Sequence, residues 1–163
     1  MTTTTASALP DSLAHWPGYL MAFVADEAVA RFEGELSELG VRTRHAEVLV
    51  LIDAEGPLSQ RQLGRRLHID KSRMVVVVDE LERLGLAERR RRESDRRANA
   101  IHLTPAGAVA LERIRACADR ENERLFGPLH DGEREQLVAL LRRIAEMYVA
   151  LSNARPAPRA AGS

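Results

Sequence analysis

The stretch Leu58–Thr104, LSQRQLGRRLHIDKSRMVVVVDELERLGLAERRRRESDRRANAIHLT, constrains this chain most, because its start and stop signals dictate two short helices and then a basic hairpin. Ser59 opens the first helix: its hydroxyl accepts from an orphan backbone N–H while Gln62, three residues on, reaches back to complete a capping box. Leu63 and Leu67 mark the buried face. A turn through His68 and Ile69 reaches Asp70, a second N-cap, and the next helix carries Met74, Val77 or Val78, Leu81 and Leu84 at helical spacing. Gly85 stands where a left-handed cap ends it. Lys71, Ser72, Arg73, Val75 and Val76 lie off the apolar stripe and are free for a partner.

That partner is duplex DNA on this reading. A helix-turn-helix offers the first turns of its second helix to base edges, while the start of its first helix, here Ser59, Gln60 and Arg61, meets phosphates. The run Arg89-Arg90-Arg91-Arg92 and the alternating Ile101 and Leu103 make two strands of a wing. The chain is neutral overall, with 24 Lys and Arg against 24 Asp and Glu, which excludes a generally adhesive basic protein. From Gln60 to Arg97, however, twelve Lys or Arg face seven Asp or Glu, an excess of five that focuses positive charge on this module.

The hairpin resembles the wing of the MarR family of winged helix-turn-helix transcriptional regulators. Asp95-Arg96-Arg97-Ala98, then Ile101-His102-Leu103-Thr104-Pro105-Ala106-Gly107, is similar to the family's DRRA signature and the LTxxG start of its next helix. The resemblance covers Leu13 to Leu151. It implies that Arg97 enters the minor groove with Asp95 holding it; Arg91 and Arg96 are further candidate DNA contacts. Two positions depart: Arg92-Glu93 stands where the signature often begins Asp-Pro, and Val76 where many members carry arginine. At Val76 the departure favours apolar contact with a thymine methyl.

At 163 residues the chain is one ordinary domain with room for a real core. The expected fold is mainly α: a winged helix-turn-helix over 41–104, with long dimerisation helices over 13–40 and 105–153. Flexible tails, 1–12 and 154–163, are small, polar and proline-interrupted. Leu20, Phe23, Val24, Ala28, Phe32, Leu36 and Leu39 stripe a first helix over Pro17–Leu39, ending at Gly40. Thr43 is expected to cap a second helix that buries Ala46, Val48, Leu49, Leu51 and Ile52. After the wing, Thr104 caps a helix with Pro105 at its first position and Val109, Leu111, Ile114, Ala118 and Leu125 on its apolar side. Asp131 is expected to cap a last helix striped by Leu137, Leu140, Leu141, Ile144, Met147, Tyr148 and Leu151. So complete a terminal stripe calls for a partner. The expected one is a second copy, whose two recognition helices, about one helical turn apart, read a pseudo-palindromic operator. Packing within the chain is the alternative.

No other chemistry assembles. His15, His45, His68, His102 and His130 form no metal-ligand spacing, and His45 and Glu47 point to different faces of one helix. No nucleophile elbow or glycine-rich phosphate loop is present, so the expected protein is not an enzyme and needs no cofactor. A single Cys117 admits no intrachain disulfide, and no apolar run suits a signal or a membrane span, which points to the cytoplasm. Cys117 reads as a packing thiol, with a redox switch as the alternative. Trp16 and Tyr19, with His45, are candidate contacts for a small aromatic or phenolic effector, since the resemblance implies effector sites between the dimer helices and the winged lobe. Helix packing is the other reading of these aromatics. Two further functions stay open: a redox-responsive regulator, and a helical adaptor that sets its basic hairpin against an acidic protein.

Overall fold

The computed structural model describes residues 9–91 and 99–154, with helices α1 (Pro17–Ser37), α2 (Thr43–Glu55), α3 (Gln60–Arg66), α4 (Lys71–Arg83), α5 (Pro105–Phe126) and α6 (Asp131–Ala154) and strands β1 (Ala87–Arg91) and β2 (Asn99–Leu103). The expected tails fall largely outside these residues. The described ones form two compact units, one through Glu121 and one from Asn122.

In the first unit α1 ends where Gly40 takes φ +69° and Val41 N–H returns to Leu36 O at 3.2 Å. The cap of α2 differs from expectation. Arg42 is its N-cap and Thr43 its first helical residue, with Thr43 N–H donating to Glu33 Oε1 at 3.0 Å. A carboxylate from α1 thus answers the positive end of α2 across space, a pairing ten residues long that local propensity does not display.

Leu36, Val48, Leu49, Leu63, Met74, Val78, Leu81, Ile101, Leu111 and Ile114 fill the core, one side chain or more from every element of this unit except β1, which adds Ala87. The strands pair antiparallel, Ala87 opposite Leu103 through Arg91 opposite Asn99. Ile101 N–H also donates to Leu58 O at 2.8 Å, so the start of the helix-turn-helix is stitched to the wing. Of the apolar stripe expected on α5, Leu111 and Ile114 are buried, but Val109 is 65% exposed. It lies in the second turn.

Among its described side chains, residues 131–151, α6 carries no buried residue. His130 precedes it as N-cap, its N–H donating to Glu133 Oε2 at 2.9 Å, and Asp131 is the first helical residue rather than the cap. There the acidic group still favours the helix dipole. Leu140, Ile144, Met147, Tyr148 and Leu151 are all exposed, as are Met21, Phe23, Val24 and Val29 on α1. Among the described residues no helix is long and apolar enough to cross a membrane.

Candidate nucleic-acid interface

The capping chemistry that starts α3 and α4 also sets the outward face between them. Ser59 Oγ accepts from Gln62 N–H at 3.3 Å and donates to Gln62 Oε1 at 2.8 Å, and that oxygen accepts Ser59 N–H at 3.0 Å. The serine hydroxyl is thereby engaged in the cap. At α4, Asp70 Oδ1 accepts Arg73 N–H at 3.0 Å. Between the helices His68 takes φ +52°, and the turn closes on Gly64, where a Cβ would stand 2.9 Å from Ile69 O. Left-handed backbone at a non-glycine residue is uncommon, though histidine is among the residues that adopt it most readily. The absence of a side chain at Gly64 lets α3 close on the turn at Ile69 and on Met74 of α4.

That outer surface holds the expected contacts. Lys71, Ser72 and Arg73 are exposed, and so are Val75 at 37% and Val76 at 55%, whereas Val77 and Val78 are buried. The four-valine run therefore divides evenly between core and solvent, as a 100° step per residue requires. On the α3 side a groove of about 410 Å³ is lined by Gln60, Arg61, Arg65, Lys71 and Val75. Arg61, Arg65 and Lys71 have no ion-pair partner among the described residues. Gln60 Nε2 is buried without a hydrogen-bond partner among them. On the opposite side a groove of about 370 Å³ sets Arg42, Arg44 and Arg73 around Val76. Arg42 and Arg44 escaped sequence reasoning: they sit at the start of α2, outside the helix-turn-helix in sequence but beside it in space.

The arginine run does not act as one strip. Arg89 turns back onto α4: its N–H donates to Glu82 Oε1 at 2.7 Å, one guanidinium nitrogen donates to Glu82 Oε2, and the other to Asp79 Oδ1 at 2.5 Å. Arg90 pairs with Glu88 on its own strand, and Arg91 is exposed at the last paired position. Arg97, the expected minor-groove contact, Asp95, expected to hold it, and Arg96, a further expected DNA contact, lie outside the described residues. A signal for Arg89 was present in the sequence: Asp79 and Glu82, three apart, occupy one α4 face just before the wing.

The expected effector residues sit in different surroundings. His45 is 4% exposed, and both ring nitrogens are engaged. Nδ1 accepts Arg42 N–H at 3.2 Å, so Nε2 carries the proton and donates to Glu80 Oε2 at 2.8 Å. The His45 hydrogen bond, assisted by Arg42, holds the Glu80 carboxyl below its ordinary range. This ties the start of α2 to the recognition helix. Trp16 is exposed and meets His15 edge-on, and Tyr19 stacks on Phe23 at 6.3 Å. Neither Trp16 nor Tyr19 lines the groove to which His45 belongs. Cys117 is 6% exposed, and burial, with a hydrogen bond to Glu35, pushes its thiol up even though Arg120 lies 3.2 Å from Sγ. A thiol so placed is a poor nucleophile.

A capped helix pair whose second member keeps its outer face unburied, backed by a hairpin, is a winged helix-turn-helix. Comparison with known proteins agrees. The sequence profile of the MarR family matches residues 39–98. A putative transcriptional regulatory protein for the hcr operon of Thauera aromatica is 39% identical over 87 residues, which span 53% of this chain and only 52% of that protein. The uncharacterized HTH-type transcriptional regulator YkoM of Bacillus subtilis is 32% identical over 106 residues, 65% of this chain and 69% of YkoM. The crystal structure of CouR from Rhodococcus jostii RHA1, bound to p-coumaroyl-CoA, matches with a TM-score of 0.74 at 30% identity, over 83% of this chain and 95% of that one. The chain belongs to the MarR family of transcriptional regulators.

Proposed function

We propose that the chain is a cytoplasmic homodimeric repressor that binds a pseudo-palindromic operator in duplex DNA and is released by a small aromatic or phenolic effector. The observation that carries the DNA reading is the outer face of α4, which stays unburied between two arginine-rich grooves. Ser59, Gln60, Arg61, Lys71, Ser72, Arg73, Val75, Val76, Arg91, Asp95, Arg96 and Arg97 are its proposed contacts. A second copy is favoured by the exposed apolar faces of α1 and α6, which are larger than scattered surface residues account for. CouR's p-coumaroyl-CoA ligand supports an aromatic effector, for which Trp16 offers an exposed ring, Tyr19 a half-buried ring stacked on Phe23, and His45 a link to α4.

The test is a competition. A duplex selected from a random library should outcompete scrambled DNA by roughly a thousandfold or more at physiological salt. Light scattering should give the mass of two chains, and Lys71→Ala should lower affinity with a shallower salt slope. Equal competition would leave the adaptor reading. Among added compounds, aryl acids or phenols should release the DNA, with the response lost in Trp16→Ala. Peroxide should not release it, and Cys117→Ser should behave as wild type. Peroxide release abolished in Cys117→Ser would replace the effector by a redox switch.

A further inference from the structure

The outer crest of α4 is formed by Ser72, Val76 and Asp79, with Val75 one step toward α3. The Asp79 carboxylate is taken by Arg89, and the Arg73 guanidinium lies 3.3 Å from Asp70. What is left standing clear on the middle of the helix is therefore a pair of valines. The fold does not require them. Its core takes Val77 and Val78 from the same run, and a β-branched residue on an exposed helix surface is a weaker helix former than alanine and covers nothing. Basic side chains flank the pair on both sides: Arg61, Arg65 and Lys71, without ion-pair partners among the described residues, on Val75's flank, and Arg42, Arg44 and Arg73, paired with Glu80, Glu47 and Asp70, on Val76's. Basic side chains astride a helix suit the two phosphate strands that border a major groove. The apolar crest between them then faces the base edges.

Chemistry narrows what such a crest can read. Guanine is recognised by an Arg or Lys donor pair and adenine by Asn or Gln, and valine offers neither donor nor acceptor. The one apolar group that a major groove presents is a pyrimidine C5-methyl, carried by thymine or by 5-methylcytosine. We propose that Val75 and Val76 read C5-methyl groups, so that each operator half-site carries methylated pyrimidines opposite the first two turns of α4. Discrimination there comes from methyl burial and not from hydrogen bonds. This rests on the reading of the chain as a DNA-binding regulator, and it adds what that regulator recognises.

The experiment uses the full chain and a duplex selected from a random library, with thymines opposite α4 replaced one at a time by deoxyuridine. The exchange removes a methyl and leaves every hydrogen-bonding edge intact. Wild type should bind each uracil duplex roughly fourfold more weakly per methyl, the equivalent of about one buried carbon. Val76→Ala and Val75→Ala, both at solvent-facing positions, should each lose most of the thymine preference at the methyl that the substituted side chain meets and keep it at the other. Val76→Thr, which keeps the shape with one methyl fewer, should show part of the effect. In a parallel arm a C·G pair at the same place is methylated at cytosine C5: a gain in affinity adds 5-methylcytosine to the groups read, and no gain confines the reading to thymine. Uracil substitution without loss, in a duplex that wild type still prefers over scrambled DNA, would overturn the methyl proposal and leave DNA binding standing. Failure to prefer any selected duplex would overturn the DNA reading itself.

Discussion

Gly107→Ala is expected to destabilise the winged lobe severely. A Cβ at this position would stand 1.9 Å from Leu86 O and 2.9 Å from Leu86 C, inside any contact that atoms tolerate, with the Leu103 side chain at 3.0 Å on the other side. Leu86 cannot step aside cheaply. Its carbonyl accepts Thr104 N–H at 3.1 Å, and Thr104 Oγ1 in turn donates to Gly85 O at 2.6 Å and accepts Gly107 N–H at 2.9 Å. One threonine thus caps α5 and pins it to the turn after α4, and the missing side chain at Gly107 lets the helix seat there. Backing α5 away would break those bonds and unseat Leu111 and Ile114. Overpacking against backbone with loss of a cap should cost on the order of 3 kcal/mol or more, and a thermal melt should fall by roughly 10 °C. Gly64→Ala, whose Cβ would lie 2.9 Å from Ile69 O, should cost less, and Gly132→Ala, with nothing within 4 Å, should be neutral or slightly stabilising. If Gly107→Ala melted with wild type, the seating of α5 on Leu86 would be wrong.

This also gives the LTxxG pattern its meaning. Sequence alone showed threonine as a cap and proline as a first helical residue, both local facts, but not why glycine must follow three positions later. That reason lies at Leu86, in the turn after α4. The same division runs through the lobe. The Ser59–Gln62 box, the Asp70 cap and the left-handed Gly85 were legible because each is complete within four residues. So was the split between buried and exposed valines on α4, which helical periodicity alone decides. Thr43 and Asp131 were mistaken for caps because both are good capping residues, whereas the helices begin one residue earlier in the chain and take their carboxylate partners from Glu33 and Glu133. His45 and Glu80, 35 residues apart, left no trace in pattern or composition. The α6 stripe was readable as a face, but a pattern names no partner.

Arg89→Ala is expected to weaken operator binding by roughly tenfold to a hundredfold, the range for a charge-assisted hydrogen-bond pair, while leaving most of the fold intact. Its guanidinium lies 23% exposed between two α4 carboxylates, and its own backbone N–H is bound by one of them. The side chain therefore fixes the pitch of the wing against the recognition helix, and it neutralises Asp79 and Glu82 on α4. Removing it frees the wing and exposes two negative charges to the duplex. These effects are separable. Arg89→Lys keeps the charge without the two-pronged grip, so it should recover the electrostatic share only. Adding Asp79→Asn and Glu82→Gln to Arg89→Ala removes the repulsion without restoring the grip. If instead Arg89 held a phosphate directly, its loss would make the slope of log affinity against log salt shallower by about 0.9, the value per released counterion. The structure requires a slope that changes by less than that while affinity falls. An Arg89→Ala protein that bound the selected duplex as tightly as wild type would show that the wing keeps its place without this clamp, and that the first of the four arginines is ornamental to binding.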